Sequence, residues 1–376
     1  MSSHLKLVYT YSIIKKNIID MRGLIMVEKS YFGALDDGTE IDLYKITNKS
    51  GAYVTLQTLG AGIQSLYVPD KNGVLSDVVL GFDNPQDYTD PDHGYQGLIV
   101  GRWANRIRDA KFTFNGEEYH TPVNQGRWTL HSGGRFSFTP WEVEETGDDY
   151  VVFKRFSPDL EDGFGGNFTM RVKYTFTEDN TLRLEYMIMS DKDTVANPTN
   201  HSYFNLSGND DEIIDSHYLM INADYFTETD DDQLPTGELG GLKGTMMDFS
   251  TMHKIGEHIN EPFRAVIDGI GYDNNYCLRK KDFTMQQAAV LEHRGSGRRL
   301  EVYTDLPGIQ LYCGGWLDKN YTAGKGTNVV KYHRGAALET QFYPDTVNHQ
   351  DVFPARFVKA NEEFKTVTEF RFSVID

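Results

Sequence analysis

The chain is expected to be all-β, a large antiparallel β-sandwich or barrel-like pair of sheets with few helices. Three observations lead there. Apolar and polar residues alternate along several short runs, the pattern of a strand with one buried face. Turn-forming Gly, Asn and Asp cluster between those runs, and 35 glycines are spread over 376 residues, as short strands joined by turns require. Helical periodicity is scarce, which leaves sheet packed on sheet as the available layering.

The elements follow in chain order. Residues 7–14 are a short apolar run followed at once by Lys15 and Lys16. No small-residue cleavage site follows, and the run is too short to span a bilayer. Residues 1–25 are therefore expected to be an extension outside the core, upstream of an internal start at Met26, and residues 26–376 to form one domain. Residues 52–59 and 63–68 read as strands around Gly60-Ala61-Gly62. Met170, Val172, Tyr174 and Phe176 share one face, against Arg171, Lys173 and Thr175. After Glu178-Asp179-Asn180, the residues Leu182, Leu184 and Tyr186 repeat that pattern against Arg183 and Glu185, which makes a β-hairpin with one buried face. Residues 298–303 and 309–312 are further strands separated by Leu306-Pro307-Gly308. The acidic runs 209–212 and 229–232 lack the alternating ligands of an EF-hand loop and read as solvated loops. No fixed-period repeat and no Pro/Ser-rich linker divides the chain.

Composition narrows the function. The formal charge of −18 opposes nucleic-acid binding, which depends on cationic side chains meeting phosphates. It also disfavours strongly anionic substrates and leaves neutral small molecules as the easier fit. The two cysteines, Cys277 and Cys313, have no metal-ligand spacing and fit a reducing compartment. A cytoplasmic protein without a membrane segment is expected.

Familiar chemistry-bearing motifs are missing. Gly60-Ala61-Gly62 begins like a dinucleotide fingerprint, but the third glycine is absent and a strand follows. There is no P-loop, no Gly-x-Ser-x-Gly elbow and no His-Glu-x-x-His. Asn200-His201-Ser202 is a formal glycosylation acceptor that carries little weight without a secretory signal.

Eleven histidines occur, and two stand out by context. His201 lies in Asn197-Pro198-Thr199-Asn200-His201-Ser202-Tyr203-Phe204-Asn205-Leu206, a mixture of amides, hydroxyls and aromatic rings that suits a wet, hydrogen-bonding pocket around a titratable group. His131 lies in Leu130-His131-Ser132-Gly133-Gly134, where glycine lets backbone approach a ligand closely. Asn105 and Arg106 occur in Gly101-Arg102-Trp103-Ala104-Asn105-Arg106-Ile107, Asp273 in Tyr272-Asp273-Asn274-Asn275, Gln310 in Pro307-Gly308-Ile309-Gln310, and Glu339 in Leu338-Glu339-Thr340-Gln341-Phe342-Tyr343-Pro344-Asp345. Taken singly, each has an ordinary reading: a surface ion pair for Arg106, a turn for Asp273, a solvated strand residue for Gln310 or Glu339.

Taken together and in this order, the six segments resemble those of the aldose 1-epimerase family, from about Tyr31 to the C-terminus. The resemblance implies a galactose mutarotase-like supersandwich with a sugar cleft, no cofactor, no metal, and interconversion of the α and β anomers of an aldohexose such as D-galactose or D-glucose. It makes Glu339 the catalytic base, His201 the catalytic acid and His131 a second active-site histidine. It makes Asn105, Arg106, Asp273 and Gln310 sugar-binding positions and a small neutral monosaccharide the partner. The chain departs from the family pattern twice. Ser132 stands between His131 and the glycine pair, and Asn274 follows Asp273 where a histidine is common.

The chemistry suits these groups. Opening a pyranose needs a proton taken from the anomeric hydroxyl and another given to the ring oxygen. An ionised Glu339 can do the first and a protonated His201 the second, with a nearby carboxylate expected to raise the histidine's pKa. Two rival readings use the same residues. One is a glycosidase employing Glu339 and Asp273 as its carboxylate pair; the other is a non-catalytic sugar-binding protein on the same scaffold. A sugar-phosphate epimerase would want extra basic residues, which the acidity disfavours.

Overall fold

Met170, Val172, Tyr174 and Phe176 are fully buried, and the residues between them are half-exposed. A computed structural model forms strand Phe168–Phe176 from this run and pairs it with Thr181–Ser190 across a tight turn in which Asn180 has φ +61. The model describes residues 26–376 except 209–211, 264–265, 268–270, 281, 318–323, 327–331 and 376. The extension expected at residues 1–25 and most of the acidic run 209–212 lie outside the described residues.

The hairpin sits in a nine-stranded antiparallel sheet. Its order is Glu142–Thr146, Tyr150–Ser157, Phe168–Phe176, Thr181–Ser190, Phe364–Val374, Arg298–Thr304, Gln286–His293, Tyr218–Ile221 and His253–Lys254. A five-stranded sheet runs Met26–Ala34, Glu40–Thr47, Tyr53–Gln57, Ile63–Pro69 and Leu75–Asp77. A seven-stranded sheet is ordered Tyr203–Phe204, Ala336–Gln341, Gly308–Tyr312, Gly271–Leu278, Ala223–Thr229 and Pro235–Gly241, with Val266–Ile267 added against Gly271–Leu278. The expected strands at 298–303 and 309–312 thus belong to different sheets.

One continuous apolar core joins the three sheets, with Val54 and Leu66 from the first, Val172, Leu184 and Leu300 from the large one, and Ile309, Leu311 and Leu338 from the third. The Phe204 and Phe370 rings lie 4.9 Å apart across the layers, and the Tyr174 hydroxyl donates to the Ala61 carbonyl at 2.6 Å. Gly60-Ala61-Gly62 is the turn it was expected to be. Gly60 has φ +57, and a Cβ there would lie 2.2 Å from the Ser137 carbonyl oxygen, so only glycine fits. Among the described residues helix is confined to short 3-10 turns, the longest Pro85–Thr89. No described helix is long and apolar enough to cross a membrane.

Arg102 stitches the first motif segment to the large sheet. Its buried guanidinium donates to Ser157, to the Pro158 carbonyl and to the carbonyls of Phe164, Gly165 and Gly166. The adjoining segment from Trp103 to Ile107 reaches the seven-stranded sheet, where the candidate residues collect, through Arg106 and Asp273.

Candidate active site

Half of the site is built on three neighbouring strands of the seven-stranded sheet. Leu338 enters the core, and the Thr340 hydroxyl meets that of Thr368 on the large sheet at 2.5 Å. Strand alternation therefore turns Glu339 to the other face. Gln310 lies directly opposite Glu339, and Asp273 opposite Tyr312 on the next pair. The same face thus carries Glu339, Gln310 and Asp273, and Gln310 Nε2 donates to Asp273 Oδ1 at 2.6 Å. Asn274 points away from this face by the same alternation, so its departure from the family pattern does not alter the row.

Loops supply the other half. His201 lies between the short strands Thr199–Asn200 and Tyr203–Phe204, and its Nε2 comes within 3.5 Å of Glu339 Oε1. His131 follows strand Thr129–Leu130, which pairs with Arg106–Ile107, and its ring centroid is 5.3 Å from that of His201. The Asn105 backbone N–H donates to His131 Nδ1 at 3.2 Å, so a neutral His131 carries its proton on Nε2. Asn105 Oδ1 accepts from the Arg106 N–H at 2.8 Å. Arg106 Nη2 reaches Asp273 Oδ2 at 3.4 Å. Ser132 gives its loop a clamp: Oγ accepts from the Trp103 N–H at 2.8 Å and donates to the Trp103 carbonyl at 3.0 Å. All seven singled-out residues meet here.

The surroundings are drier than the amide-rich motif implies. Asn200, His201 and Ser202 are all buried, and their polar neighbours serve the backbone, as where Asn200 Nδ2 donates to the Gly97 carbonyl at 2.7 Å. Burial sets the protonation. It raises the Glu339 carboxyl well above its usual range, with the Asp273 charge adding and the Arg106 charge opposing. It lowers His201 to about 4, against the upward pull of a backbone hydrogen bond and of Asp273. The expected carboxylate is therefore present, but desolvation outweighs it and favours neutral His201. His131 is held well below the usual imidazole range by burial, His201 and Arg106. At 3.5 Å the pair Glu339–His201 would be an ion pair only if His201 carried the proton; both shifts put that proton on Glu339. The opposite face of each group is unsatisfied by protein: Glu339 Oε2, His201 Nδ1 and Gln310 Oε1 have no described partner.

His131, His201 and Glu339 bring ligand atoms within 4.8 Å of one another, a donor set that zinc accepts. The hydrogen bonds fit a metal poorly. A ligating imidazole normally donates through its other nitrogen, whereas His131 Nδ1 accepts and His201 Nδ1 has no described partner.

Several site residues carry no motif. Tyr95 and Tyr312 pack their rings 6.2 and 6.3 Å from the His201 ring, alongside Tyr203 of the His201 motif at 5.0 Å. Gln125 and Gln233 touch Arg106 from two separate loops. Gln233 closes the acidic run read as a solvated loop; Asp230 in that run instead pairs with Arg108 at 2.8 Å and accepts from the Leu234 N–H at 3.0 Å. A groove of about 850 Å³ on the five-stranded sheet, between Tyr53, Tyr67 and Asp77, contains none of the motif side chains that meet at the cleft.

Known proteins resemble this chain over most of its length. A family model described as aldose 1-epimerase matches residues 42–371. The chain is 38% identical to galactose mutarotase of Sus scrofa over 353 residues, covering 93% of this chain and 100% of that protein. It is 33% identical to aldose 1-epimerase of Escherichia coli (strain K12) over 339 residues, 89% and 96% of the two. Among solved structures, the GalM/aldose epimerase homologue from C. elegans matches with a TM-score of 0.79 at 29% identity, over 93% of this chain and all of that one. Galactose 1-epimerase from Lactobacillus acidophilus NCFM shares the fold, with a TM-score of 0.80 at 24% identity over 94% and 100%.

Proposed function

The chain belongs to the aldose 1-epimerase family, and from that premise we propose that Glu339 and His201 exchange protons with one hexose while Asn105, Arg106, Asp273 and Gln310 hold it. The protein is a mutarotase, an isomerase that interconverts sugar anomers. The proposal treats residues 26–376 as its working unit, residues 1–25 as an extension, and a neutral aldohexose such as D-galactose or D-glucose as substrate.

The observation that carries the assignment is the 3.5 Å approach of His201 Nε2 to Glu339 Oε1 in a buried setting, beside a row of sugar-compatible donors and acceptors. The pair holds one proton. With the proton on Glu339 both groups are neutral, the state that burial favours. Transfer to His201 keeps the same proton count and yields the base and the acid that ring opening needs. Arg106 draws Glu339 toward ionisation and so assists that transfer, whereas Asp273 draws His201 toward protonation but also holds the proton on Glu339, so its two effects oppose each other.

Glu339 then takes the anomeric hydroxyl proton as His201 gives one to the ring oxygen. Rotation about C1–C2 of the open aldehyde presents its other face, and reclosure with the roles reversed gives the other anomer. Neutral His131, with its proton on Nε2, donates a hydrogen bond to an oxygen that gains charge. Sugars already mutarotate in water, and a positioned acid or base typically contributes about 10²–10⁴-fold, so two such groups plus orientation are enough.

The glycosidase reading finds less support, because both Asp273 oxygens already accept, from Gln310 and Arg106. Polarimetry on freshly dissolved α-D-galactose and α-D-glucose tests the proposal. Accelerated approach to equilibrium is expected, lost in His201→Asn. A non-catalytic sugar binder would leave the spontaneous rate untouched.

A further inference from the structure

Arg106 is held from three directions by separate parts of the chain. Its Nε donates to Gln125 Oε1 at 3.2 Å, and its Nη2 donates to Gln233 Oε1 at 2.8 Å and to Asp273 Oδ2 at 3.4 Å. Its Nη1 has no protein hydrogen bond among the described residues. Each glutamine is itself fixed. Gln125 Oε1 also accepts from the Trp128 indole N–H at 2.9 Å, in a turn closed by the Trp128 N–H on the Gln125 carbonyl at 3.0 Å. Gln233 has φ +61 and ends a turn that Asp230 ties to Arg108. The two loops also meet through Arg127 and Asp232 at 3.7 Å.

We propose that Gln125 and Gln233 are positioning residues for the sugar: together they orient the Arg106 guanidinium so that Nη1 is presented to substrate hydroxyls. This rests on Arg106 being a sugar-contacting residue. The chemistry explains why amides stand here. A carboxamide has one acceptor oxygen and no charge, so it takes a single guanidinium edge and adds no negative charge to that of Asp273. A carboxylate would grip Nη1 and Nη2 together in a bidentate pair and neutralise the group. The amides therefore aim the arginine without consuming it.

The test is a double-mutant cycle read in KM and kcat by polarimetry with D-galactose. Gln233→Met and Gln125→Met should each raise KM by about 10-fold, the scale of one hydrogen bond to a charged group, with kcat within about 3-fold. In an Arg106→Met background, neither change should raise KM further, because the group they aim is gone. Gln233→Glu keeps an acceptor oxygen and should still raise KM by capturing the guanidinium; a merely structural role would leave that variant at parent KM. Parent KM in Gln233→Met and Gln125→Met, or effects that add to those of Arg106→Met, would overturn the inference. A parent KM in Arg106→Met itself would instead overturn the reading of Arg106, and this inference with it.

Discussion

Replacing Glu339 by Gln separates what the carboxyl does for catalysis from what it costs the fold. Glu339 is 2% exposed, and its carboxyl is raised well above 4.5, first by burial and then by Asp273. The unfolded chain ionises this group near 4.5, whereas the folded chain keeps the proton. Between those two values the folded state binds one proton more than the unfolded state, so stability falls as pH rises, by about 1.4 kcal/mol per pH unit. Unfolding entropy of about 2.1 cal/mol/K per residue comes to about 0.8 kcal/mol/K for a chain of this length, so the slope is roughly 2 °C in Tm per pH unit. Glutamine has no such dependence. His201, lowered to about 4, contributes the opposite slope from about 4 to 6.5, but it is common to both proteins. The Tm of Glu339→Gln minus that of the parent should therefore grow by about 2 °C per pH unit above pH 5, while kcat drops by about 10²–10⁴-fold. Thermal melts from pH 5 to 8, paired with polarimetry, check both. Parallel Tm curves would mean that the folded carboxyl is already ionised, and the one-proton pair would have to be abandoned.

Three other outcomes are expected. The pH profile of kcat/KM should stay flat through neutrality and fall on the acid side only near about 4, where His201 gains a second proton for the pair; an acid limb near 6.5 would contradict this. Asp273→Asn removes the charge that raises Glu339, so the alkaline limb of the same profile should move down while KM rises with the loss of the ion pair to Arg106. Arg102→Met leaves the Phe164, Gly165 and Gly166 carbonyls without their donor and should cost about 3 kcal/mol or more, or roughly 4 °C in Tm by calorimetry.

Much of the sheet architecture was written in alternation, because strands with one covered face must alternate. Phe168–Phe176 and Thr181–Ser190 are the clear instance. Ala336–Gln341 is not, since every residue there is buried: core lies on one side and the site on the other, so no period survives. The chemistry-bearing residues were legible only as motifs. Gln125 and Gln233 had no motif, and Gln233 sat beside an acidic run that looked merely solvated. Tyr95 and Tyr312 were two tyrosines among 22. The protonation of His201 was misjudged for a related reason. Asn200 and Ser202 look hydrated as residue types, yet the fold closes over them, and desolvation is a property of the closed fold.

The row Asp273, Gln310 and Glu339 is spaced by the hydrogen-bond ladder of adjacent strands, whereas His131 and the two glutamines that aim Arg106 hang from turns. Geometry in the first group is quantised: a slip of one residue would send an entire strand's side chains to the wrong side. Geometry in the second can be adjusted by lengthening or recomposing a turn. The base Glu339 is thus insulated from sequence drift in the turns, and descendants of this scaffold could acquire a taste for different sugars by editing turns alone.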